Sequence, residues 1–277
     1  MAEVVDSKSE KTYTLKHASK HPEERTRLDS QHEALIDRLD GKLCLGLEPT
    51  ESPKRILEIG AGSGVWAILA ATTFSDAEII AVDLAEIPRT LPANVKFIKA
   101  DVNKPFDFAE SASFDLVHSR LTLIHVPNYR DVLLRSAAMV TPGGLLSVED
   151  PDFALYNDAG LSHSFKELLN KWRRARDAEG LCFDECKEFN QLLTETGAFS
   201  SVDTYKLPVP LWGRLDGSAP ERLGYFLSTA GGIMWRHLSD RSCGTVTLDE
   251  VEQATAELND DGNIYLDYYY TYARKHW

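Results

Sequence analysis

A chain of 277 residues, 43% hydrophobic and 26% charged, can bury a sizeable core and fits one α/β domain with an elaboration or two small domains. Its formal net charge of −13 argues against a surface built to neutralise nucleic-acid phosphates, and the densest basic patch, Lys171, Arg173, Arg174 and Arg176, reads as a solvated helix face. There is no apolar run approaching the roughly 18 residues of a membrane span and no signal-peptide pattern in "MAEVVDSKSEKTYTLK", so the expectation is a cytoplasmic protein with neither a membrane nor a nucleic-acid partner.

The first forty residues are polar, and from Arg25 they become amphipathic. Leu28, His32, Leu35, Ile36 and Leu39 recur near a 3.6-residue period, which predicts a helix ending at Gly41. Five short apolar runs follow: "RILEIG" (55–60), "EIIAVD" (78–83), "VKFIKAD" (95–101), "FDLVHSR" (114–120) and "GLLSVED" (144–150). Their Val and Ile content and weak alternation suit strands buried on both faces. Helical spacing over Gly64 to Phe74 and Tyr129 to Val140 separates them, so the region predicts a mostly parallel, doubly wound α/β sheet with helices on both faces.

After Asp150 the pattern changes. Helices are expected around Phe165 to Ala178 and Glu188 to Thr196, then a strand in "SVDTYKLPVP" (201–210). A Gly-interrupted helical block precedes "NIYLDYYYTYARK" (263–275), whose aromatic and β-branched content reads as a last strand. If these two strands are neighbours, the block between them is an insertion at one end of the sheet, placed as a lid. Cys44, Cys182, Cys186 and Cys243 are scattered and read as ordinary thiols; the Cys182–Cys186 spacing has no second ligand pair, so no metal is expected.

In a doubly wound sheet the ligand lies beyond the carboxyl ends of the strands, at the first glycine turn. Here that turn is "LEIGAGSGVWA". Gly60 and Gly62 fit a dinucleotide fingerprint, but the third small position is Val65, followed by Trp66. Glu58, just before the turn, would repel pyrophosphate and suits a ligand bearing an ammonium group. Asp83 closes the next strand, where a carboxylate can accept both ribose hydroxyls. Asp101 closes the third, where it can accept from an adenine amino group. An adenosine that carries an amino acid and no phosphate meets all three demands, and that ligand is S-adenosyl-L-methionine.

At this point the sequence resembles the class I S-adenosylmethionine-dependent methyltransferases. "LEIGAGSG", "AVDLAE", "KADVNKPF", "FDLVHSR" and "VTPGGLLSVED" match their successive motifs. Outside the core, "ERTRLDSQHEALIDRLDGKL", "FDLVHSRL" and "YYYTYARK" resemble the fungal subgroup that holds LaeA-like regulators and secondary-metabolite methyltransferases. The resemblance implies a seven-stranded sheet with its last strand antiparallel. It also implies an N-terminal helical segment (1–50) closing over the cofactor, a Rossmann-like core (51–210), a helical lid insertion (211–260) and a last core strand (261–277).

The expected cofactor contacts are Tyr13, Glu58, Gly60, Ala61, Gly62, Gly64, Asp83, Leu84, Asp101, Val102, His118, Ser119 and Arg120. The lid supplies Trp212, Tyr225, Phe226, Met234, Trp235 and His237 for an apolar acceptor pocket. Methyl transfer from a sulfonium needs mainly alignment, and a base helps only for a hydroxyl acceptor. His118, His125, Glu149 and Asp150 are the candidate bases, none in a fixed catalytic motif. The partner expected is a small, partly hydrophobic secondary metabolite methylated on O, N or S, and a homodimer is compatible with the chain. The competing expectation is a LaeA-like regulator that keeps the fold and acts through protein partners.

Overall fold

The computed structural model describes residues 22–152, 154–157, 162–182, 184–210, 214–226, 247, 249, 250, 253 and 264–277. Helix α1 (Pro22–Arg38) leads into β1 (Arg55–Ile59), α2 (Val65–Thr73), β2 (Glu78–Asp83), β3 (Val95–Lys99), β4 (Phe114–Arg120), α3 (Tyr129–Met139) and β5 (Val140–Pro151). Helices α4 (His163–Ala178) and α5 (Phe189–Glu195) come next, followed by β6 (Phe199–Pro210) and β7 (Tyr265–Lys275). Residues 219–226 are also helical.

The seven strands form one sheet in the order β3-β2-β1-β4-β5-β7-β6. β1 to β5 run parallel, and β7 lies antiparallel between β5 and β6. The expected neighbours, residues 201–210 and the terminal Tyr-rich run, therefore do pair. Strand order reverses between β1 and β4, which opens a crevice at their carboxyl ends. Ile56, Leu57, Ile59, Ile79 and Val82 are fully enclosed, as strands covered on both faces require.

Two local features depart from the sequence expectation. Helix α1 stops at Arg38, three residues before Gly41, because the chain turns left-handed through Asp40 (φ 52°) and Gly41 (φ 82°). The Gly41 amide then donates to Ile36 O at 2.9 Å, closing the helix in a Schellman-type turn. Arg176, expected on a solvated face, is instead buried. It shares the helical stripe of Phe165, Leu168, Leu169 and Trp172, and its Nη2 donates to the carbonyls of Ile124 and Cys182.

Three apolar clusters sit around the sheet. One lies under α2, and one under α3 and α5. The third joins α1, α4, residues 219–226 and the β6–β7 edge. Among the described residues no helix is long and apolar enough to cross a membrane, and no group of His, Cys, Asp and Glu could hold a metal ion. Cys44, Cys182 and Cys186 are free thiols.

Candidate functional site

The turn after β1 is built from three left-handed glycines, Gly60 (φ 79°), Gly62 (φ 53°) and Gly64 (φ 79°). Each has a different neighbourhood. A Cβ at Gly60 would lie 2.0 Å from Thr122 Oγ1, and one at Gly64 would lie 2.6 Å from Ile87 Cγ2, so both positions are closed by packing. A Cβ at Gly62 would meet nothing within 4 Å. That glycine presents bare backbone to open space, which lets a ligand approach closely.

Three carboxylates stand at or just past the carboxyl ends of the first three strands. Asp83, at the end of β2, accepts from the Gly62 amide through Oδ2 and from the Ala85 amide through Oδ1, both at 2.8 Å. Burial raises its carboxyl above the ordinary range even though these amides favour the ionised form. Asp101, two residues past β3, uses Oδ1 to accept from the Asn103 amide (2.9 Å) and Nδ2 (3.1 Å). Its Oδ2 is buried without a partner. Glu58 is 4% exposed, and its Oε2 is likewise unpartnered. Burial pushes the Glu58 carboxyl up to about 8; Arg120 opposes this and Asp83 adds to it. Ala61 and Val102 are buried beside these groups, and Leu84 is half-buried.

The end of β4 is arranged differently from a simple ligand edge. Strand alternation puts His118 and Arg120 on one face and Ser119 on the other. His118 stacks flat on Trp66, with ring centroids 3.8 Å apart and planes at 4°. Burial lowers its imidazole to about 4, although Glu149 opposes the shift. Arg120 is committed to structure. Its Nε donates to Glu149 Oε2 at 2.6 Å and its Nη2 to Leu43 O at 3.1 Å, while Nη1 lies 3.3 Å from His32 Nδ1. Ser119 is buried with an unpartnered Oγ.

Burial and neighbouring charges shift all four candidate bases from their ordinary values, three downward and one upward. His125, in the short 3-10 turn Leu123–His125, is lowered to about 3 by burial, Arg176 and Arg27. Burial works to raise Glu149, but Arg120 and His118 outweigh it and hold the carboxyl below the ordinary range. Asp150 is driven well above its ordinary value by burial and the Glu185 carboxylate, against the amides of Leu123 and Thr122. Tyr225 is 37% exposed, whereas Phe226 is buried at 6%. Adjacent helical positions point about 100° apart, so only one of the pair faces the core. Tyr13, Trp212, Met234, Trp235 and His237 lie outside the described residues.

The sequence leads to an N-terminal helix near this site but not to the residues through which α1 reaches it. Asp29 Oδ1 accepts from Ser63 Oγ at 2.8 Å, and both Asp29 oxygens accept from Arg89 Nη2 at 2.8 Å. Arg25 Nη1 donates to Pro88 O at 3.3 Å. Toward residues 214–226, Arg27 Nη1 donates to Phe226 O at 3.3 Å and Arg222 pairs with Asp37. Nothing in a single sequence names partners up to 199 residues away.

The sequence model described as methyltransferase domain matches residues 29–198. Two proteins of Strobilurus tenacellus are similar: methyltransferase str3 (40% identical over 193 residues, 67% of this chain and 66% of that one) and methyltransferase str2 (46% over 192 residues, 68% of each). The match thus spans about two thirds of these relatives' length. The secondary metabolism regulator LAE1 of Gibberella fujikuroi is 36% identical over a shorter stretch, 125 residues, 44% of this chain and 39% of that one. In structure, Haemonchus contortus phosphoethanolamine N-methyltransferase 2, solved with phosphomonomethylethanolamine and S-adenosylhomocysteine, aligns with a TM-score of 0.59. The alignment covers 100% of this chain and 62% of that one at 17% identity, a likeness of fold. With the family model spanning more than half of the chain and the glycine turn, its carboxylates and the strand order all in place, the chain belongs to the methyltransferase domain family.

Proposed function

We propose that this chain is an S-adenosylmethionine-dependent methyltransferase of secondary metabolism, acting on O, N or S of a small, partly hydrophobic molecule. One observation carries the cofactor assignment. Three carboxylates stand at the carboxyl ends of β1 and β2 and just past β3, and two of them, Glu58 and Asp101, keep a buried oxygen without a partner. Buried polar groups are normally satisfied, so these oxygens fit groups that the bound ligand brings. Asp101 Oδ2 would accept from the adenine amine and Glu58 would face the methionine ammonium. Asp83, holding Gly62 in place, would meet the ribose. When bound, the cofactor supplies a methyl group on a positively charged sulfur.

The chain itself has to position the acceptor and keep water out. Three of the four candidate bases are weak proton acceptors at neutral pH: His118 and His125 are lowered to about 4 and about 3 and Glu149 is ion-paired, whereas burial drives Asp150 well above its ordinary value. The arrangement therefore favours an acceptor whose own atom is nucleophilic once desolvated and aligned. Titration calorimetry with S-adenosylmethionine tests the reading. Binding by the wild-type chain and its loss in Asp83→Ala are expected; no heat from either would sink it.

The likeness to LAE1 favours a second reading, a regulator that keeps the fold and acts through protein partners. The longer and more identical match to str2 ranks it second. Turnover of any small acceptor by the pure chain separates the two.

A further inference from the structure

On the sheet face under α1 and α4, a row of polar side chains crosses from the cofactor turn to the far edge of the parallel sheet. Glu58 of β1 neighbours His118 of β4, Arg120 neighbours Glu149 of β5, and Glu149 neighbours Tyr270 of β7, with Tyr268 one step further along the same face. Tyr268 and Tyr270 are fully buried, with ring centroids 4.9 Å apart. Neither hydroxyl has a hydrogen-bond partner among the described residues. Glu149 Oε1 makes no hydrogen bond, and its contact with His118 Nε2 is long, at 3.6 Å. Leaving one buried hydroxyl unsatisfied is costly. Two on neighbouring rings, beside a carboxylate oxygen held only by that long contact, indicate a missing polar guest.

We propose that Tyr268, Tyr270 and Glu149 form an anchoring subsite that takes a neutral hydroxyl group, phenolic, enolic or alcoholic, on an otherwise apolar acceptor molecule. The inference rests on the methyltransferase reading and names the substrate class for it. A hydroxyl has one donor and two acceptor lone pairs. Its O–H donates to Glu149 Oε1, and its oxygen accepts from the two tyrosine hydroxyls, so all four groups are satisfied at once. A carboxylate has no donor for Glu149 and is repelled by its charge. An ammonium group can donate to Glu149 but has no lone pair to accept from the two tyrosine O–H groups. Tyr268 and Tyr270 belong to an apolar cluster that also holds Phe165, Trp172, Leu223 and Phe226, so the surroundings of the polar groups are apolar. The anchored hydroxyl need not be the atom that is methylated.

The test uses the full chain saturated with S-adenosylhomocysteine and three probes of one shape: 2-naphthol, 2-methylnaphthalene and 2-naphthoate. Ligand-observed NMR is expected to show 2-naphthol binding about tenfold tighter than 2-methylnaphthalene, the size that a neutral hydrogen-bonded group supports, with 2-naphthoate weakest. Tyr268→Phe and Tyr270→Phe should each erase most of that preference while leaving S-adenosylhomocysteine affinity unchanged. Equal binding of naphthol and methylnaphthalene, or a preference intact in both variants, overturns the subsite. A wild-type crystal soaked with 2-naphthol gives a readout that does not depend on the variants folding. The naphthol oxygen between Glu149 and the tyrosines supports the proposal, and an ordered water only at that place overturns it. Loss of S-adenosylhomocysteine binding in the wild type would count against the methyltransferase reading instead, and the probe series is repeated without it so that the two failures stay separate.

Discussion

Asp29 of α1 and Ser63 of the glycine turn are joined by a 2.8 Å hydrogen bond between carboxylate and hydroxyl. The same carboxylate receives Arg89 from the loop after β2, so one side chain fixes α1 to two walls of the cofactor crevice. Further along α1, Arg27 reaches Phe226 O and Asp37 meets Arg222. The helix therefore ties the cofactor turn to residues 214–226. A ligand that orders one end favours docking at the other, and the coupling must be reciprocal.

Asp29→Ala removes both bonds at the crevice end. Its expected effects are a cofactor affinity weakened by about tenfold and a stability loss of roughly 1–2 kcal/mol, the range for a charge-assisted hydrogen bond. Ser63→Ala should cost less, because Arg89 still holds Asp29. Calorimetry and thermal melts read the two effects; an Asp29→Ala chain with wild-type cofactor affinity would show that the grip is only structural.

The glycines separate packing from ligand access. Gly60→Ala puts a methyl group 2.0 Å from Thr122 Oγ1 at a φ of 79°, and should destabilise by roughly 2 kcal/mol or more. Gly62→Ala, at a φ of 53° with nothing within 4 Å, should cost only about 1 kcal/mol in the unliganded chain. Cofactor affinity should fall sharply in Gly62→Ala, since the added methyl group occupies the open side. Equal stability losses in the two variants would contradict this division.

Most of this fold could be read before any coordinates. Apolar runs with weak alternation, spaced by helical stretches, gave the parallel sheet, and the acids closing β1, β2 and β3 gave the cofactor edge. What stayed hidden were partners distant in sequence. Arg120 looks like a ligand at a strand end, yet its charge is spent on Glu149, 29 residues on, and on Leu43 and His32. Tyr268 and Tyr270 look like β-propensity, and only the sheet register brings them beside Glu149. Arg176 reads as surface because charge usually marks a solvated face, whereas helical phase puts it on the apolar stripe.

The Arg120–Glu149 pair, with side chains 8% and 0% exposed, gives a test of that hidden chemistry. Arg120→Met leaves a buried carboxylate uncompensated and should cost about 3–5 kcal/mol. Arg120→Met with Glu149→Gln removes both charges and should recover most of the loss. Urea melts of the single and double variants decide it, and a purely additive double variant would mean that the two groups are not coupled.

Stability should fall on the acid side because of buried imidazoles. His32 and His118 are lowered to about 3 and about 4, below the ordinary 6.5. Between these values and 6.5 the unfolded chain binds more protons, so their contribution is complete above about pH 6.5 and is lost as pH falls toward 4. His118→Phe keeps a flat ring on Trp66 and cannot titrate. Its melting temperature should change less between pH 6.5 and 4 than that of the wild type, and an unchanged acid limb would remove His118 from the account.

Glu58 titrates in the opposite sense and links the cofactor to pH. Its folded value of about 8 lies above the ordinary 4.5, so near pH 7 the carboxyl is mostly protonated in the unliganded chain. A methionine ammonium beside it favours the ionised form and should displace that proton. Binding of S-adenosylmethionine at pH 7 is therefore expected to release about one proton, seen as a difference in binding enthalpy between phosphate and Tris buffers. The release should vanish in Glu58→Gln and fade toward pH 9, where Glu58 is already ionised. Identical enthalpies in the two buffers would place the ammonium elsewhere and leave the buried Glu58 oxygen to some other partner.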